Sequence, residues 1–448
     1  MTETKTNIEL VKEEPKKERI RGLTGITNTG NTCYMNSALQ ALSHNYPLTK
    51  FLFMNEKENQ KIIIKNTKKV VEGLSMFDPK NKANFVPIEL RNKIADDNFN
   101  PDTLTESEIN YVYNASITGQ LTRLLKQMWA VNCDVVPISF RLIFSEVRNK
   151  FFFSNIQHDA EEAYSCIIQK MQEELAVSQH VKFETHVKTV NVFIARKNNI
   201  ARKIPRANNA QRLRLQKEYM SLVKNMPKEA LIMEAFRNMK RYYTNNHSQI
   251  TEIFTGFCAS STRCPKESCN HSSYKFEPFL HLPLSIPAKG SNDNKITIMD
   301  CLDTFCKEEK LDANNMWKCD GCGDNVQAIL KTQLWSAPPI LVVQLKRFGY
   351  LQARKDNRLI DYPLDDFDIS SMIMEENKDP SKCYKYRLQS VVNHTGGLHG
   401  GHYYSFCMDE DTGKWFCYND AMVQEININK IVTPTAYLLF FMRKNLIK

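Results

Sequence analysis

The stretch from Thr27 to Leu42, TNTGNTCYMNSALQAL, places one cysteine between a polar loop and an apolar helical pattern. Asn31 or Thr32 is the expected N-cap of that helix. Cys33 therefore falls in the first helical turn, where the helix dipole and the free backbone N–H groups favour a thiolate. The apolar positions that follow it at helical spacing are Met35, Ala38, Leu39 and Leu42.

Taken alone, Cys33 has two interpretations. It is a catalytic nucleophile, or it is one small core residue among 13 cysteines. Asn28, five residues earlier on the loop, is placed to aim its side-chain amide at a developing oxyanion. The nucleophile interpretation also requires a histidine base and a group that orients that base.

Residues 393–420, NHTGGLHGGHYYSFCMDEDTGKWFCYND, offer such a base. Four glycines before His402 permit a close backbone approach, and DEDTG predicts a turn between two strands. If the hairpin is centred between residues 410 and 411, His402 lies directly opposite Asn419, and Asp420 points to the other face. This register predicts a Cys33, His402 and Asn419 triad, with Asp420 as the rival or auxiliary third member.

Two other histidines of the same segment have simpler roles. His399 is expected to line the cleft on the glycine-rich loop rather than act as the base. His394 begins that loop, and we expect it to make structural hydrogen bonds.

The segments TRCPKESCNHSS and MWKCDGCGDN carry two cysteine pairs, Cys264 with Cys269 and Cys319 with Cys322. Four thiolates at these spacings are typical of a tetrahedral structural Zn²⁺ without an open catalytic position. The wider first spacing leaves His271 as an alternative ligand to Cys269. The simpler alternative is a ribbon that holds reduced thiols without metal.

The composition is that of a globular protein, with 448 residues, 42% hydrophobic and 10% aromatic. The first 20 residues are charged and lack hydrophobic periodicity, which predicts a disordered tail. Neither a signal-peptide core nor a run of about 18 apolar residues is evident. We therefore expect an intracellular protein, cytoplasmic or nuclear or both, without a membrane partner.

The net charge of +10 is concentrated in one segment. Residues 191–250 contain thirteen Lys and Arg but only three acids. The apolar side chains at helical spacing predict a solvated two-helix insertion docked by one stripe on the body of the protein. A surface for nucleic acid or an acidic partner is the alternative, although the segment lacks interleaved aromatics of a known reader pattern. The stripe consists of Ile232, Phe236, Met239 and Tyr243.

The order of elements predicts the fold class. A helical first half, the insert and then a strand-rich second half indicate an α+β architecture with segregated lobes.

Several segments resemble, in order, the motifs of the ubiquitin-specific proteases. GLTGITNTGNTCYMNSALQAL resembles the cysteine box of that family, and HTGGLHGGHYYSFCMDEDTGKWFCYND resembles its histidine box. Between them lie counterparts of the Gln-x-Asp-Ala-x-Glu segment (FFSNIQHDAEEA) and the Leu-Lys-Arg-Phe strand (PPILVVQLKRFGY). AYLLFF resembles the closing strand, so the likeness covers roughly residues 21–445 apart from the basic insert.

The resemblance implies a role for each matching residue. Cys33 is the nucleophile, His402 the general base and acid, Asn419 the orienting group and Asn28 the oxyanion donor. Many members carry Asp where this chain has Asn419, so the full charge that would stabilise an imidazolium is missing. Three further positions match residues that line the cleft, where the acids face arginines of the ubiquitin tail; they are Gln157, Asp159 and Glu162. The simpler alternative for the two acids is that they complement a helix dipole.

The implied fold is papain-like, with thumb, fingers and palm lobes and a zinc ribbon in the fingers. The expected division of the catalytic domain, residues 21–448, is thumb 21–185, basic helical insert 186–250, fingers 251–335 and palm 336–448. Ubiquitin and ubiquitinated proteins are the implied partners. The rival is a pseudo-enzyme that binds ubiquitin as a scaffold, which the presence of all three catalytic residue types disfavours.

Overall fold

The computed structural model describes residues 22–80, 86–130, 134–152, 156–179, 181–269, 271–288, 295–349, 354–397 and 400–446. The sequence-predicted tail at residues 1–20, and His399, lie outside these residues.

The described helices are concentrated in the first half of the chain, which agrees with the α+β expectation. They are α1 (Cys33–Ser43), α2 (Tyr46–Met54), α3 (Glu56–Lys65), α4 (Thr67–Val71), α5 (Ile88–Ala95), α6 (Glu106–Ala115), α7 (Ile117–Ala130), α8 (Ile138–Lys150), α9 (Ala160–Glu174), α10 (Thr189–Lys203), α11 (Asn209–Asn225), α12 (Pro227–Asn246), α13 (Gln249–Phe254) and α14 (Ile298–Phe305). Within the part of the chain that is described, none of these helices is both long and apolar enough to cross a membrane.

The strands follow α13 and form two main sheets. They are β1 (Gly256–Arg263), β2 (Ser272–Phe279), β3 (Leu282–Ser285), β4 (Ile296–Thr297), β5 (Glu309–Lys310), β6 (Trp317–Lys318), β7 (Asn325–Val326), β8 (Ile329–Ser336), β9 (Ile340–Lys346), β10 (Phe348–Gly349), β11 (Arg354–Lys355), β12 (Ile360–Asp361), β13 (Phe367–Asp368), β14 (Lys385–Gly397), β15 (Gly400–Met408), β16 (Trp415–Asn419), β17 (Met422–Ile426) and β18 (Ala436–Arg443).

The larger sheet has the order β17-β16-β15-β14-β18-β9-β3, with β13 paired to β14. Successive side chains of its central strands point to opposite faces of the sheet, and both faces are buried. Leu438 and Phe440 join the core shared with the helices of the first half. Leu439 and Phe441 join a second core that includes α14. This sheet is therefore the wall against which both cores pack.

The smaller sheet has the order β2-β1-β8-β5. Strand β1 pairs with β2 on one side and with β8 on the other, antiparallel in both cases. The two-stranded ribbon β6–β7 holds the Cys319 and Cys322 knuckle between its strands.

The basic segment forms three helices, α10 to α12, rather than the two that the sequence predicted. Pro205 and Pro227 interrupt the helical pattern, because proline ends a helix at or just before its own position unless it occupies the first turn. The predicted apolar stripe on α12 is confirmed as a docking face. Ile232 and Met239 are buried in a core that includes Phe257 and Trp335 of the smaller sheet.

A buried carboxylate joins two helices of the first half. Glu174, at the end of α9, accepts hydrogen bonds from the N–H groups of Ile117 and Thr118, both at 2.8 Å, and from the Thr118 hydroxyl at 2.6 Å. These N–H groups open α7 and have no partner within that helix. The carboxylate therefore caps α7 from a different helix, where the helix dipole favours negative charge.

We expect Glu174→Ala to lower the free energy of unfolding by about 2–4 kcal/mol, because three buried donors lose their acceptor. Chemical denaturation with the wild type as reference measures the change. The matched control is Glu173→Ala on the exposed side of the same helix, where a surface ion pair with Lys170 contributes about 1 kcal/mol or less. Equal effects of the two substitutions would contradict the capping role.

Candidate active site

Helix α1 presents Cys33 at its first position, with Thr32 as the N-cap residue. All eleven residues of α1 are buried, so the helix is fixed by packing on every side. The Thr32 side chain does not cap the helix; its hydroxyl donates to Asn28 Oδ1 and accepts the Thr29 N–H. The sequence thus located the start of α1 correctly, while its cap hydroxyl is used to shape the preceding loop.

The helix start acts on the pKa of the Cys33 thiol in the expected direction, but the net pKa is raised. Burial raises the pKa of the Cys33 thiol, and the Asp420 carboxylate raises it further. The backbone N–H groups of Tyr403, Tyr34 and Cys33 oppose this rise, as expected for a helix N-terminus, but do not overcome it. A thiolate at this position therefore depends on a base that takes its proton.

His402 and Asn419 are in direct contact, with His402 Nε2 2.5 Å from Asn419 Oδ1. An amide oxygen only accepts hydrogen bonds, so Nε2 carries the proton in this contact and Nδ1 is left with the lone pair. Tyr403, the residue after His402, directs its backbone N–H at Cys33. Strand β15 therefore brings the imidazole to the same place as the α1 thiol.

The predicted hairpin register is wrong, because the centre of the hairpin lies one residue later in the chain than predicted. His402 and Asn419 nevertheless contact each other. Ser405 pairs with Tyr418 and Met408 with Trp415, so the hairpin is centred between residues 411 and 412. Asp409 sets this turn by accepting hydrogen bonds from the N–H and the hydroxyl of Thr412. The shift moves each partner by two residues and so keeps every side chain on its predicted face. His402 and Asn419 become diagonal neighbours on one face, still within side-chain reach.

Asp420 follows the end of β16 and turns away from the imidazole. Its backbone has φ 51°, and its carboxylate accepts from Asn28 Nδ2 at 3.1 Å and from Asn36 Nδ2 at 2.8 Å. Its carbonyl accepts the Ile26 N–H at 2.9 Å. Asp420 thus ties the strand of Asn419 to the loop and helix of Cys33, and it is not the direct partner of His402 that the rival interpretation required.

The Asn28 side chain is held by both of its ends. Its Oδ1 accepts from the N–H groups of Gly30 and Thr32, at 3.0 and 3.2 Å, and from the Thr32 hydroxyl. Its Nδ2 donates one hydrogen to Asp420. An amide nitrogen carries two hydrogens, so the second one is available for a substrate oxygen.

Gln157 bridges to the strand that carries His402. Its Nε2 donates to the Gly401 carbonyl at 2.9 Å, and its Oε1 accepts the Gly401 N–H at 3.0 Å. A side chain at Gly401 would meet His394 Nε2 at 2.2 Å and the Thr395 carbonyl at 2.3 Å. Glycine is required there because Gln157 approaches the backbone from one side and His394 fills the other.

His394 is a buried neighbour of the site. Its backbone N–H donates to the Thr435 carbonyl at 2.8 Å, and its ring lies 4.5 Å from that of Tyr403. Burial lowers the pKa of His394 to about 4, and the charges of Lys355 and His402 act in the same direction. A neutral imidazole packed in this way fits the structural role expected from the sequence.

Asp159 is the N-cap of α9, where its carboxylate accepts the Glu161 N–H at 2.7 Å. It also accepts the Tyr437 hydroxyl at 2.6 Å. Burial raises the pKa of Asp159 to about 6, and the charges of Glu161 and Glu162 add to the rise. Glu162 lies in the first turn of the same helix. Both acids therefore lie at the N-terminus of α9, where they complement the helix dipole as the simpler interpretation expects. Their role in lining the cleft stays a prediction.

Four sulfur atoms meet at the end of the smaller sheet. The Sγ atoms of Cys264, Cys269, Cys319 and Cys322 all lie within 4.8 Å of one another. Cys269 and Cys319 are 3.7 Å apart, close to the separation of about 3.8 Å that a tetrahedral zinc with bonds of about 2.3 Å requires. The ring of His271 instead stacks on Trp317. The residues therefore fit a four-thiolate zinc site with Cys269 as a ligand.

Three residues of the site were not identified from the sequence. Tyr437 holds Asp159, Asn36 holds Asp420, and Arg141 donates to the carbonyl and hydroxyl of Thr29 in the loop before Cys33. Asn36 had a local signal, because it lies one turn after Cys33 on the predicted helix. Tyr437 and Arg141 act across long sequence separations that hydrophobic patterning does not resolve.

A buried thiol at a helix start, beside an imidazole oriented by an amide, defines the class of cysteine hydrolases. The model of the ubiquitin carboxyl-terminal hydrolase family matches residues 24–441. This chain belongs to the ubiquitin carboxyl-terminal hydrolase family.

Individual relatives agree with this assignment. A probable ubiquitin carboxyl-terminal hydrolase of Acanthamoeba polyphaga mimivirus is 46% identical over 428 residues, covering 95% of this chain and 91% of the relative. Human ubiquitin carboxyl-terminal hydrolase 15 is 40% identical over 163 residues, covering 36% and 16% respectively. Human ubiquitin carboxyl-terminal hydrolase 2 is 26% identical over 426 residues, covering 94% and 55%. The chain thus spans only part of the two human relatives.

A solved structure supports the fold. The SAGA Ubp8/Sgf11/Sus1/Sgf73 DUB module bound to ubiquitin aldehyde superposes with a TM-score of 0.57 at 21% identity. The match covers 96% of this chain and 71% of that chain.

We expect purified protein to contain about one zinc per chain, since four close thiolates form a closed structural site. Cys319→Ser should remove the metal and lower the thermal midpoint, whereas Cys383→Ser, away from the cluster, should change neither. Metal analysis and thermal unfolding measure both quantities. Less than about half a zinc per chain, with Cys319→Ser folding normally, would contradict a metal site.

The raised pKa of Asp159 predicts that substrate binding depends on pH. Its folded pKa of about 6 lies above the usual value, so its charge is present only as pH rises past 6. If the carboxylate faces a cationic substrate group, KM should increase as pH falls from about 7 to 5. In Asp159→Asn, KM should be about tenfold higher and lose this dependence. A pH-dependent KM that persists in Asp159→Asn would assign the titration to another group.

Proposed function

We propose that this chain is a deubiquitinase that hydrolyses the isopeptide or peptide bond after the C-terminal glycine of ubiquitin. The observation that carries the proposal is the 2.5 Å contact between His402 Nε2 and Asn419 Oδ1. His402 lies on β15, and the backbone N–H of the next residue, Tyr403, is directed at Cys33. Family membership supports this substrate, since the family and the mimivirus relative are named for ubiquitin carboxyl-terminal hydrolase activity.

A substrate that ends in two glycines suits the approach to Cys33. Gln157, three residues before α9, is hydrogen-bonded to the Gly401 backbone of β15, and we propose that this pairing narrows the approach to Cys33. Residues without side chains are the ones that pass such a constriction. Selectivity for a glycine-terminated tail is thus supported by a backbone pairing rather than by a shaped side-chain pocket.

The acylation step begins with proton transfer from the Cys33 thiol to His402 Nδ1. Because burial and Asp420 both raise the thiol pKa, we infer that the proton moves as the bond to substrate forms. The sulfur attacks the glycine carbonyl carbon, and the oxygen takes the negative charge. His402 then gives the proton to the leaving lysine nitrogen as the carbon–nitrogen bond breaks, which leaves a thioester.

The second step consumes water. His402 Nδ1 takes a proton from a water molecule whose oxygen attacks the thioester carbon. The carbon–sulfur bond breaks and the proton on the imidazole returns to the Cys33 sulfur. The carboxylic acid that forms at the end of ubiquitin gives the second proton of the water to solvent and leaves as a carboxylate. Asn419 keeps the imidazole in one tautomer and orientation through both steps.

The oxyanion of both steps is assigned to Asn28. Its Oδ1 accepts three hydrogen bonds and its Nδ2 donates to Asp420, so the amide is oriented before substrate arrives. Donors that need no reorganisation stabilise developing charge most effectively. The Asn28 loop and the α1 N–H groups together supply this environment.

Zinc, when bound by the four cysteines, would be structural, because four thiolates leave no open position for a reacting group. The knuckle of Cys319 and Cys322 would then be joined to β1 through Cys264. This arrangement supports a role in stiffening the end of the smaller sheet, which we propose contacts the ubiquitin body.

The basic insert supports a different class of function only weakly. Residues 191–250 of the insert contain thirteen Lys and Arg. Among the described residues, one of them, Arg237, forms an ion pair with an acid, Glu234. Unpaired surface cations attract polyanions in general, but no aromatic stacking platform accompanies them in a reader arrangement. We therefore propose the hydrolase function for the chain and assign no nucleic acid to the insert.

Wild-type protein should release the fluorophore from a ubiquitin C-terminal fluorogenic substrate, and Cys33→Ser should lower kcat by at least about 10⁴-fold. Asn28→Ala should lower kcat by about 10²–10³-fold with little change in KM, since it removes one oxyanion donor. Cys383→Ser is the control for loss of an unrelated thiol. A wild-type rate equal to that of Cys33→Ser would mean that the chain is a non-catalytic ubiquitin binder.

A further inference from the structure

A groove runs along the basic insert, and none of the residues that line it belongs to the active site. Its walls are α10, α12 and residues 181–185, and its volume is about 640 Å³. We call it the insert groove. Its floor is apolar and only half-buried, so its side chains still offer surface for contact. The floor consists of Phe183, Ile194, Met233 and Phe236.

The shape of the insert groove suits a helix. On α10 the lining positions include 190, 194 and 197, and on α12 they are 233, 236, 237 and 240. Spacings of three and four residues follow one face of a helix, and seven residues of helix rise about 10 Å. A groove of this length between two helices accepts a third helix, which inserts side chains at positions i, i+3 or i+4, and i+7.

The other apolar faces of α10 and α12 are already in contact with neighbouring elements. Leu215 and Leu222 of α11 lie in one core with Phe193 of α10. Ile232 of α12 lies in another core with Trp335 of the smaller sheet. Among the described residues, the insert groove is thus the apolar face of this helix pair that these contacts leave uncovered. The second core fixes the groove relative to the smaller sheet.

The rim of the insert groove is basic. Lys197, Arg237 and Lys240 line it, against one acid, Glu184. Among the described residues, Arg237 forms an ion pair with Glu234, whereas neither lysine forms one. Helix α10 itself contains four Lys and Arg and no acid. The charge on this rim is therefore available to the carboxylates of a partner.

The floor of the groove distinguishes between classes of anionic partner. A single-stranded nucleic acid stacks its bases on free aromatic faces, but Phe183 and Phe236 already stack on each other, with ring centroids 5.4 Å apart. A bilayer takes up side chains that project from a protein, whereas the apolar groups here form the floor of a concave surface. An acidic helix with apolar side chains on one face complements both the floor and the rim.

We propose that the insert groove binds an acidic amphipathic helix of a partner protein, with bulky apolar side chains on the floor and Asp or Glu at the rim. The charge of the insert supports this occupant, because residues 191–250 carry thirteen Lys and Arg against three acids and so disfavour a basic partner. The proposal does not depend on the hydrolase function. Because α12 is docked on the smaller sheet, a bound partner is held at a fixed position relative to that sheet.

A synthetic peptide tests the groove directly. The probe is a fluorescent helical peptide of about 20 residues, with Leu and Phe on one face and Glu on the others, titrated with the full chain in about 150 mM salt. The wild type should bind it, and the double variant Lys197→Glu and Lys240→Glu should bind it about tenfold more weakly or worse. Fluorescence anisotropy measures both affinities, and a wild type that does not bind the probe would overturn the proposal.

The matched control is the double variant Arg196→Glu and Arg241→Glu, which makes the same change of charge on the same two helices at residues that do not line the groove. It should lower the affinity less than about threefold, because salt screens charges that are not in contact with the peptide. Thermal midpoints measured for both double variants report whether the insert is folded. Equal losses of affinity in the two would show attraction by net charge alone and would refute a groove site.

Changes in the probe test the same contacts without altering the protein. Replacing its Glu residues by Gln, or its Leu and Phe residues by Gln, should each lower the affinity for the wild type about tenfold, since Gln retains the helix propensity. Undiminished binding of either peptide would contradict the proposal.

A single-stranded oligonucleotide and vesicles with ~30% anionic lipid represent the other anionic occupants. The groove variant should affect their binding no more than the matched control does. If either one binds the wild type more tightly than the acidic peptide and loses that affinity in the groove variant alone, the assignment of the groove to a protein helix is wrong.

Discussion

The Asp420 carboxylate joins the two halves of the active site, and the geometry of every catalytic group depends on it. It follows the strand of Asn419, and it accepts hydrogen bonds from Asn28 and Asn36 on the other side of the cleft. Its backbone carbonyl adds a bond to Ile26. A side chain at Gly25 would come within 2.2 Å of the Ala421 carbonyl, so the loop and the strand end are in close contact. The position of Cys33 relative to His402 is set by this junction.

The junction has an electrostatic cost at the nucleophile. A carboxylate fixed beside Cys33 raises the pKa of the thiol, in addition to the effect of burial. The N–H groups of Tyr403, Tyr34 and Cys33 reduce this rise but do not reverse it. The junction fixes the position of Cys33 but also disfavours its thiolate form. The imidazole of His402 must therefore take the proton of the thiol. The arrangement favours a thiol that is inert until substrate and base act together.

The sequence predicted the groups that act locally and failed where geometry depends on distant contacts. The helix start at Cys33, the strand at His402 and the cysteine knuckles carry short-range signals, namely an N-cap pattern, a glycine-rich approach and paired spacings. The hairpin centre was misplaced because the Asp409 to Thr412 contact that fixes it has no periodic signature. Each side chain still lies on its predicted face, since a shift of the hairpin centre by one residue preserves the alternation of side chains.

Long-range partners were beyond such signals. Tyr437 reaches Asp159 across 278 residues, and Asp420 reaches Asn28 across 392. The third helix of the insert was missed for a related reason, because its charged, weakly apolar sequence packs mainly on α10 and α12. Sequence patterns therefore identify which chemistry is present, while tertiary contacts decide how it is oriented.

Asn419 in place of an aspartate has a structural explanation in this arrangement. A carboxylate at residue 419 would adjoin that of Asp420, and two neighbouring negative charges near Cys33 would raise the thiol pKa further. An amide at 419 fixes the imidazole by a 2.5 Å hydrogen bond without adding charge. The single negative charge then stays at residue 420, where two asparagine amides neutralise part of its field. The division of labour is consistent: residue 419 orients the base, and residue 420 holds the cleft together.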